Sequence, residues 1–151
     1  HFIFNALNSI QHYLQQNDQL NANKYLSLFA RLTRQNMEAV MQNKVSLEDE
    51  IERLELYLQF EKLRFGDKLN YTIHIPEDVP IDELFLPPMI LQPFVENAIW
   101  HGLMPQANGG RILLLVKPKY RQIIVVSIVP KLGSNLGFIG CYKVAFCGFH
   151  F

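Results

Sequence analysis

Neither proline nor glycine occurs in this chain before Gly66, and a stretch so free of helix breakers can be helical along most of its length. The apolar spacing agrees. Ile3, Leu7, Ile10 and Leu14 step by four, three and four, which places them on one stripe of an amphipathic helix. The polar run "QQNDQLNAN" (15–23) is expected to interrupt it. The period resumes in Tyr25, Phe29 and Leu32, with a parallel row of Leu26, Ala30, Met37, Val40 and Met41, so a second helix is expected there. "SLEDE" (46–50) is the clearest start signal. Ser46 caps free backbone N–H groups, Asp49 completes a capping box, and Glu48 and Glu50 add charge that the helix dipole favours. The third helix carries Leu47, Ile51, Leu54, Leu58 and Phe65 at spacings suited to a bundle seam, interrupted by Glu61, and stops at Gly66.

From Lys68 the period changes to two. Leu69, Tyr71, Ile73 and Ile75 alternate with polar residues, as in a half-buried strand. Pro76, Pro80, Pro87 and Pro88 punctuate the next stretch, and Pro87 or Pro88 is expected to open the helix "PMILQPFVENAIWHG", closed by Gly102 and Pro105. "GRILLLVKP" and "RQIIVVSIV" then flank "KPKYR", the pattern of a hairpin between two largely buried strands. Beyond Val129 no period is visible.

The 14 basic and 14 acidic side chains cancel, so no global field draws the chain to nucleic acid or to an acidic membrane. Their distribution is uneven: every carboxylate lies at or before Glu96, while residues 97–151 hold six cations and no acid. Cys141 and Cys147 are too few for a disulfide framework or a four-thiolate zinc site, which points to a reducing compartment. No run reaches the roughly 20 apolar residues of a membrane span. Starting at His1 in mid-pattern, the sequence reads as part of a longer protein.

Residue by residue, the candidate chemistry is modest. Taken alone, His1 on an apolar helix face reads as a packing or terminal residue rather than as a nucleophile. Asn97 and His101, one turn apart, fit a local hydrogen bond, and no third ligand stands at a zinc-like spacing.

The order of three motifs adds a sharper reading. "HFIFNALNSI" (1–10), "YLQFEKLRFGDKL" (57–69) and "LPPMILQPFVENAIWHG" (86–102) together resemble the LytS-type sensor histidine kinases, whose acceptor motif is His-Phe-x-Phe-Asn. The resemblance covers residues 1–129. It implies an α+β fold, with a helical dimerisation and phosphoacceptor hairpin followed by a partial histidine-kinase-type ATP-binding α/β sandwich. The boundaries expected are 1–66 for the helical region, 67–130 for the partial ATP-binding domain and 131–151 for a divergent tail.

By the same resemblance His1 is the phosphate acceptor, and an imidazole suits that role because much of it is unprotonated and nucleophilic near neutral pH. Asn5, one turn on, would hold its tautomer. Asn97 matches the family's magnesium-binding asparagine, and its amide oxygen is a hard ligand for an ion that keeps waters and phosphate oxygens. Glu96 and His101 flank it, with Glu96 either orienting a water or lying on the helix surface. Arg64 matches a family arginine and is read as structural, while Trp100 stands where many relatives carry a basic residue. The implied cofactors are ATP and Mg2+. The implied partners are a second copy of the chain and a response regulator, with no nucleic acid and with the parent protein anchored in a bacterial inner membrane upstream.

The resemblance fails after "IIVVSIV". The family continues there with Asp-x-Gly-x-Gly, whose carboxylate reads the adenine amino group, and later with a glycine-rich lid, but this chain gives "PKLGSNLGFIG". A site built to hydrogen-bond a polar base edge discriminates strongly on that bond, by a factor on the order of 10⁴. The expectation is an impaired autokinase, with a non-enzymatic dimerisation module bearing a vestigial ATP fold as the alternative. The tail 131–151 reads either as genuine irregular structure or as a stretch out of frame.

Overall fold

In the computed structural model, which describes residues 2–116, 125–130 and 140–143, helix α1 (Phe2–Gln15) and helix α2 (Gln19–Val40) are separated only by residues 16–18. The break is shorter than the polar run 15–23 suggests, because polar side chains by themselves do not end a helix. Local geometry makes the turn instead: Asn17 adopts φ 57°, and the Asp18 carboxylate accepts from the Asn21 N–H at 3.1 Å. Asparagine and aspartate are the residues suited to these two positions.

Strand β1 (Val45–Ser46) leads into helix α3 (Leu47–Phe65). The Ser46 hydroxyl accepts from the Asp49 N–H at 3.0 Å, as its sequence predicts. Two more N–H groups of the first turn are satisfied from outside, Leu47 by the Leu84 carbonyl and Glu48 by the Ile81 carbonyl. Strand β3 (Phe85–Leu86) pairs antiparallel with β1, so the start of α3 is stitched to the proline-rich segment. Gly66, at φ 56°, ends the helix as expected.

Helix α3 is the spine of the molecule. Leu47, Leu54, Tyr57, Leu58 and Phe60 are essentially buried, and one continuous core joins them to Tyr25 and Leu32 of α2 and to Ile112 and Leu114 of the sheet. A helix sandwiched between two partners buries more than one stripe. The first helix behaves otherwise. It turns Ala6, Ile10 and Tyr13 inward, while Ile3, Leu7 and Leu14 of the predicted stripe are exposed together with Phe4.

The main sheet has the order β2 (Leu69–His74), β4 (Gly110–Leu115), β5 (Val125–Pro130) and β6 (Gly140–Lys143). Strands β4 and β5 pair antiparallel, Ile112 opposite Ile128, in agreement with the expected hairpin; its tip "KPKYR" lies outside the described residues. Strand β2 lies parallel to β4 on its other side, Leu69 opposite Gly110, which requires a crossover connection. Strand β6 falls where the sequence shows no period, and the rest of 131–151 is outside the described residues.

That crossover carries helix α4. It starts at Gln92, with Pro93 in its first turn, and not at Pro87 or Pro88. Residues 87–91 are used differently, since Met89 takes φ 58° and the chain turns before the helix begins. After Asn97 the helix widens into π geometry over Ala98–Leu103, and the Met104 N–H reaches back five residues to the Ile99 carbonyl at 2.9 Å. It therefore runs one residue past Gly102. Such widened turns concentrate at functional sites.

Candidate functional site

Three helices enclose a cavity of about 350 Å3. Helix α1 contributes Asn5, α3 contributes Tyr57 and Glu61, and α4 with its π-helical turns contributes Glu96, Asn97, Trp100 and His101. Thus four of the five residues singled out in the sequence, Asn5, Glu96, Asn97 and His101, meet around one space although 91 positions separate Asn5 from Glu96. The fifth, His1, lies outside the described residues; in sequence it stands one helical turn before Asn5.

Local structure sets up the α4 side. Gln92 Nε2 donates to Glu96 Oε1 at 2.8 Å, an i, i+4 bond that fixes this carboxylate beside Asn97. Asn97 is exposed, while its neighbours Val95, Ala98 and Ile99 are buried and seat the helix in the core. The lining is rich in oxygen donors and carries no sulfur, which suits a hard cation such as magnesium. Among the described residues no three His, Cys, Asp or Glu side chains converge on a metal position. An ion held by Asn97 would need its remaining ligands from water and nucleotide phosphates, as magnesium commonly does.

Sequence reasoning missed Tyr57, Glu61 and Trp100 as members of this lining. Glu61 left a trace, because a carboxylate interrupting an apolar seam has to be either solvated or used. It is 2% exposed. Burial pushes its carboxyl up to about 7; Arg64 opposes the shift, Glu96 reinforces it, and a hydrogen bond with Tyr57 lowers it. Burial also raises the Tyr57 hydroxyl, with Glu61 and then Glu96 adding to the effect. Arg64 Nη1 donates to Glu61 Oε2 at 3.4 Å. Arg64 thus pairs with a lining residue without belonging to the lining itself.

The family model for histidine kinases matches residues 1–69, the stretch holding α1, α2 and α3. The sensor histidine kinase BtsS of Escherichia coli is 34% identical over 125 residues, which is 83% of this chain and 22% of that protein. The sensor histidine kinase YpdA of the same species is 34% identical over 116 residues, 77% of this chain and 20% of the relative. The sensor protein LytS of Oceanobacillus iheyensis is 32% identical over 126 residues, 83% and 21% of the two chains. The chain belongs to the LytS-type sensor histidine kinases. It spans about a fifth of the length of the curated relatives it matches. For a sensor histidine kinase the helices α1–α3 followed by a sheet with the α4 crossover are the expected α+β arrangement. Among the described residues no helix is long and apolar enough to cross a membrane.

Proposed function

We propose that this chain is the phosphoacceptor and nucleotide-facing part of a membrane-anchored sensor kinase, and that it transfers the γ-phosphoryl group of Mg-ATP to His1 and onward to an aspartate of a response regulator. The observation that carries the reading is the shared cavity of Asn5, Glu96, Asn97 and His101. It supports bringing the end of a nucleotide to the acceptor turn of α1. The unprotonated imidazole nitrogen of His1 attacks phosphorus, the bond to the bridging oxygen breaks and ADP leaves. Asn5 orients the ring, and Asn97 offers its amide oxygen to the magnesium ion that neutralises phosphate charge in such transfers. Alignment of the reactants contributes much of the acceleration.

Two further features belong to this reading. The exposed apolar face of Ile3, Phe4, Leu7 and Leu14 on α1, with Leu26 and Met37 on α2, supports pairing with a second copy. The lack of any acid after Glu96 supports weak nucleotide binding, so labelling by the chain alone is slow and needs high ATP. The same lack favours the second reading, a dimerisation module that performs no phosphoryl transfer.

Labelled Mg-ATP is added to the chain alone and then together with an intact homologous kinase. The expected result is slow label on His1 alone, faster label in the mixture, and none in His1→Ala. Label that persists in His1→Ala would sink the assignment. Unchanged signalling by His1→Ala in cells would favour the module.

A further inference from the structure

Arg64 stands where three helices meet. Its guanidinium carbon lies 4.8 Å from the centre of the Trp100 ring on the π-helical turn and 4.5 Å from that of its neighbour Phe65, and the two rings meet edge-on at 6.1 Å and 82°. The Glu61 carboxylate pairs with the same guanidinium, Oε2 lying 3.4 Å from Nη1. Arg64 also borders a polar groove formed by Asn5, Ser9, His12 and Tyr13 of α1. There the Tyr13 hydroxyl donates to the Leu63 carbonyl at 2.5 Å, tying α1 to the end of α3.

An ion pair along one helix needs only a cation. The stack across to another helix needs a flat one, because a guanidinium lies against an aromatic face in a way that an ammonium cannot reproduce. Trp100 is one turn from Asn97 and adjacent to His101, so whatever holds this indole also sets where those side chains stand relative to Asn5. Glu61 keeps the guanidinium from swinging out to solvent.

We propose that Arg64 is a positioning residue for phosphoryl transfer: clamped by Glu61 and stacked on Trp100, it fixes the nucleotide helix α4 at a set distance from the acceptor helix α1. The kinetic consequence rests on the phosphoryl-transfer reading above; the clamp itself does not.

Trp100 is the single tryptophan of the chain, so its fluorescence reports the clamp directly. Arg64→Lys keeps the charge and removes the planar stack, and Arg64→Gln removes both. With circular dichroism unchanged, acrylamide quenching of Trp100 is expected to rise about twofold in each variant, since the guanidinium that covers the ring is lost in both. At saturating Mg-ATP the rate of His1 labelling by the full chain is expected to fall about tenfold or more, with KM for Mg-ATP within about twofold, because misplacement penalises the transfer step and not ground-state binding. Trp100→Tyr retains an aromatic face and is expected to keep most of the rate, whereas Trp100→Lys sets like charge against Arg64 and is not. Unchanged quenching in both Arg64 variants would overturn the clamp. Increased quenching with an unchanged labelling rate would overturn the positioning role. If the unaltered chain takes no label at all, the phosphoryl-transfer reading falls and the positioning role with it, while quenching still decides the clamp.

Discussion

Glu50 Oε1 accepts the Leu91 N–H at 3.0 Å, a bond between residues 41 positions apart that fastens the entry of α4 to the first turn of α3. The other oxygen accepts from Met89 N–H at 3.1 Å and from Arg53 Nη2 at 2.8 Å. Glu50 is 2% exposed. Removing a carboxylate from this position leaves two backbone donors and a buried guanidinium without their acceptor, which costs more than the pair itself contributes. Glu50→Ala is expected to destabilise the chain by about 3–5 kcal/mol. Glu50→Gln keeps one acceptor oxygen and loses less. Urea unfolding of the three proteins checks this, and an Ala variant within about 1 kcal/mol of the parent would contradict the strap.

The carboxyl of Glu61 gives a pH signature. Burial lifts it from 4.5 to about 7, so between those values the folded chain holds a proton that the unfolded chain has released. Stability from this group is therefore complete below about pH 4.5, declines as pH rises through about 7 and is level above. The span corresponds to something on the order of 3 kcal/mol. Glu61→Gln cannot titrate, and its stability is expected to change less than that of the parent between pH 5 and pH 8. Equal slopes in urea midpoints over that range would refute the assignment.

These two glutamates mark the limit of what the sequence discloses. Glu50 reads as one of three acids in a helix start, and its charge does suit the dipole, but the partner that matters lies in a segment whose local pattern is silent about it. Helices α1 to α3 are legible because capping and spacing are local: Ser46 and Gly66 do what their positions announce. The start of helix α4 is not, because Pro87 and Pro88 look like helix openers, whereas the turn at Met89 is imposed by tertiary hydrogen bonds. The acceptor and nucleotide motifs point to four residues of the cavity by resemblance. Trp100 stands out only as a departure from a basic position in relatives and Tyr57 only as a letter of its motif, and packing reveals that both line the site.

The outward face of α1 makes a prediction about association. Leu7 is 54% and Phe4 73% exposed in the single chain, an unusual placement for side chains of this size in a helical pair unless another surface covers them. Sedimentation of the parent is expected to show a dimer. Leu7→Glu places a charge in that seam and is expected to raise the dimer dissociation constant at least about tenfold, the effect of roughly 1.4 kcal/mol. A parent that is monomeric at high micromolar concentration, or a Leu7→Glu variant that associates equally well, would argue for a different face.

Gly109 tests the joint between the crossover and the sheet. It sits immediately before β4 at φ 67°, and a Cβ built there would lie 2.2 Å from the Lys68 carbonyl oxygen and 2.6 Å from the Lys68 Cα. Both neighbours are backbone, so no flexible side chain can move aside, and the left-handed conformation adds its own penalty for any L side chain. The contact also matters for register, because the next residue, Gly110, pairs with Leu69 at the start of the parallel β2–β4 ladder. Gly109→Ala is expected to destabilise the chain by about 2–4 kcal/mol. Gly66→Ala is the internal control: its φ is 56°, but nothing lies within 4 Å of the added methyl, so it carries only the conformational penalty of about 1–2 kcal/mol. Thermal or urea unfolding that ranks Gly66→Ala as the more damaging change would mean that the backbone of Lys68 and Gly109 is not packed this closely.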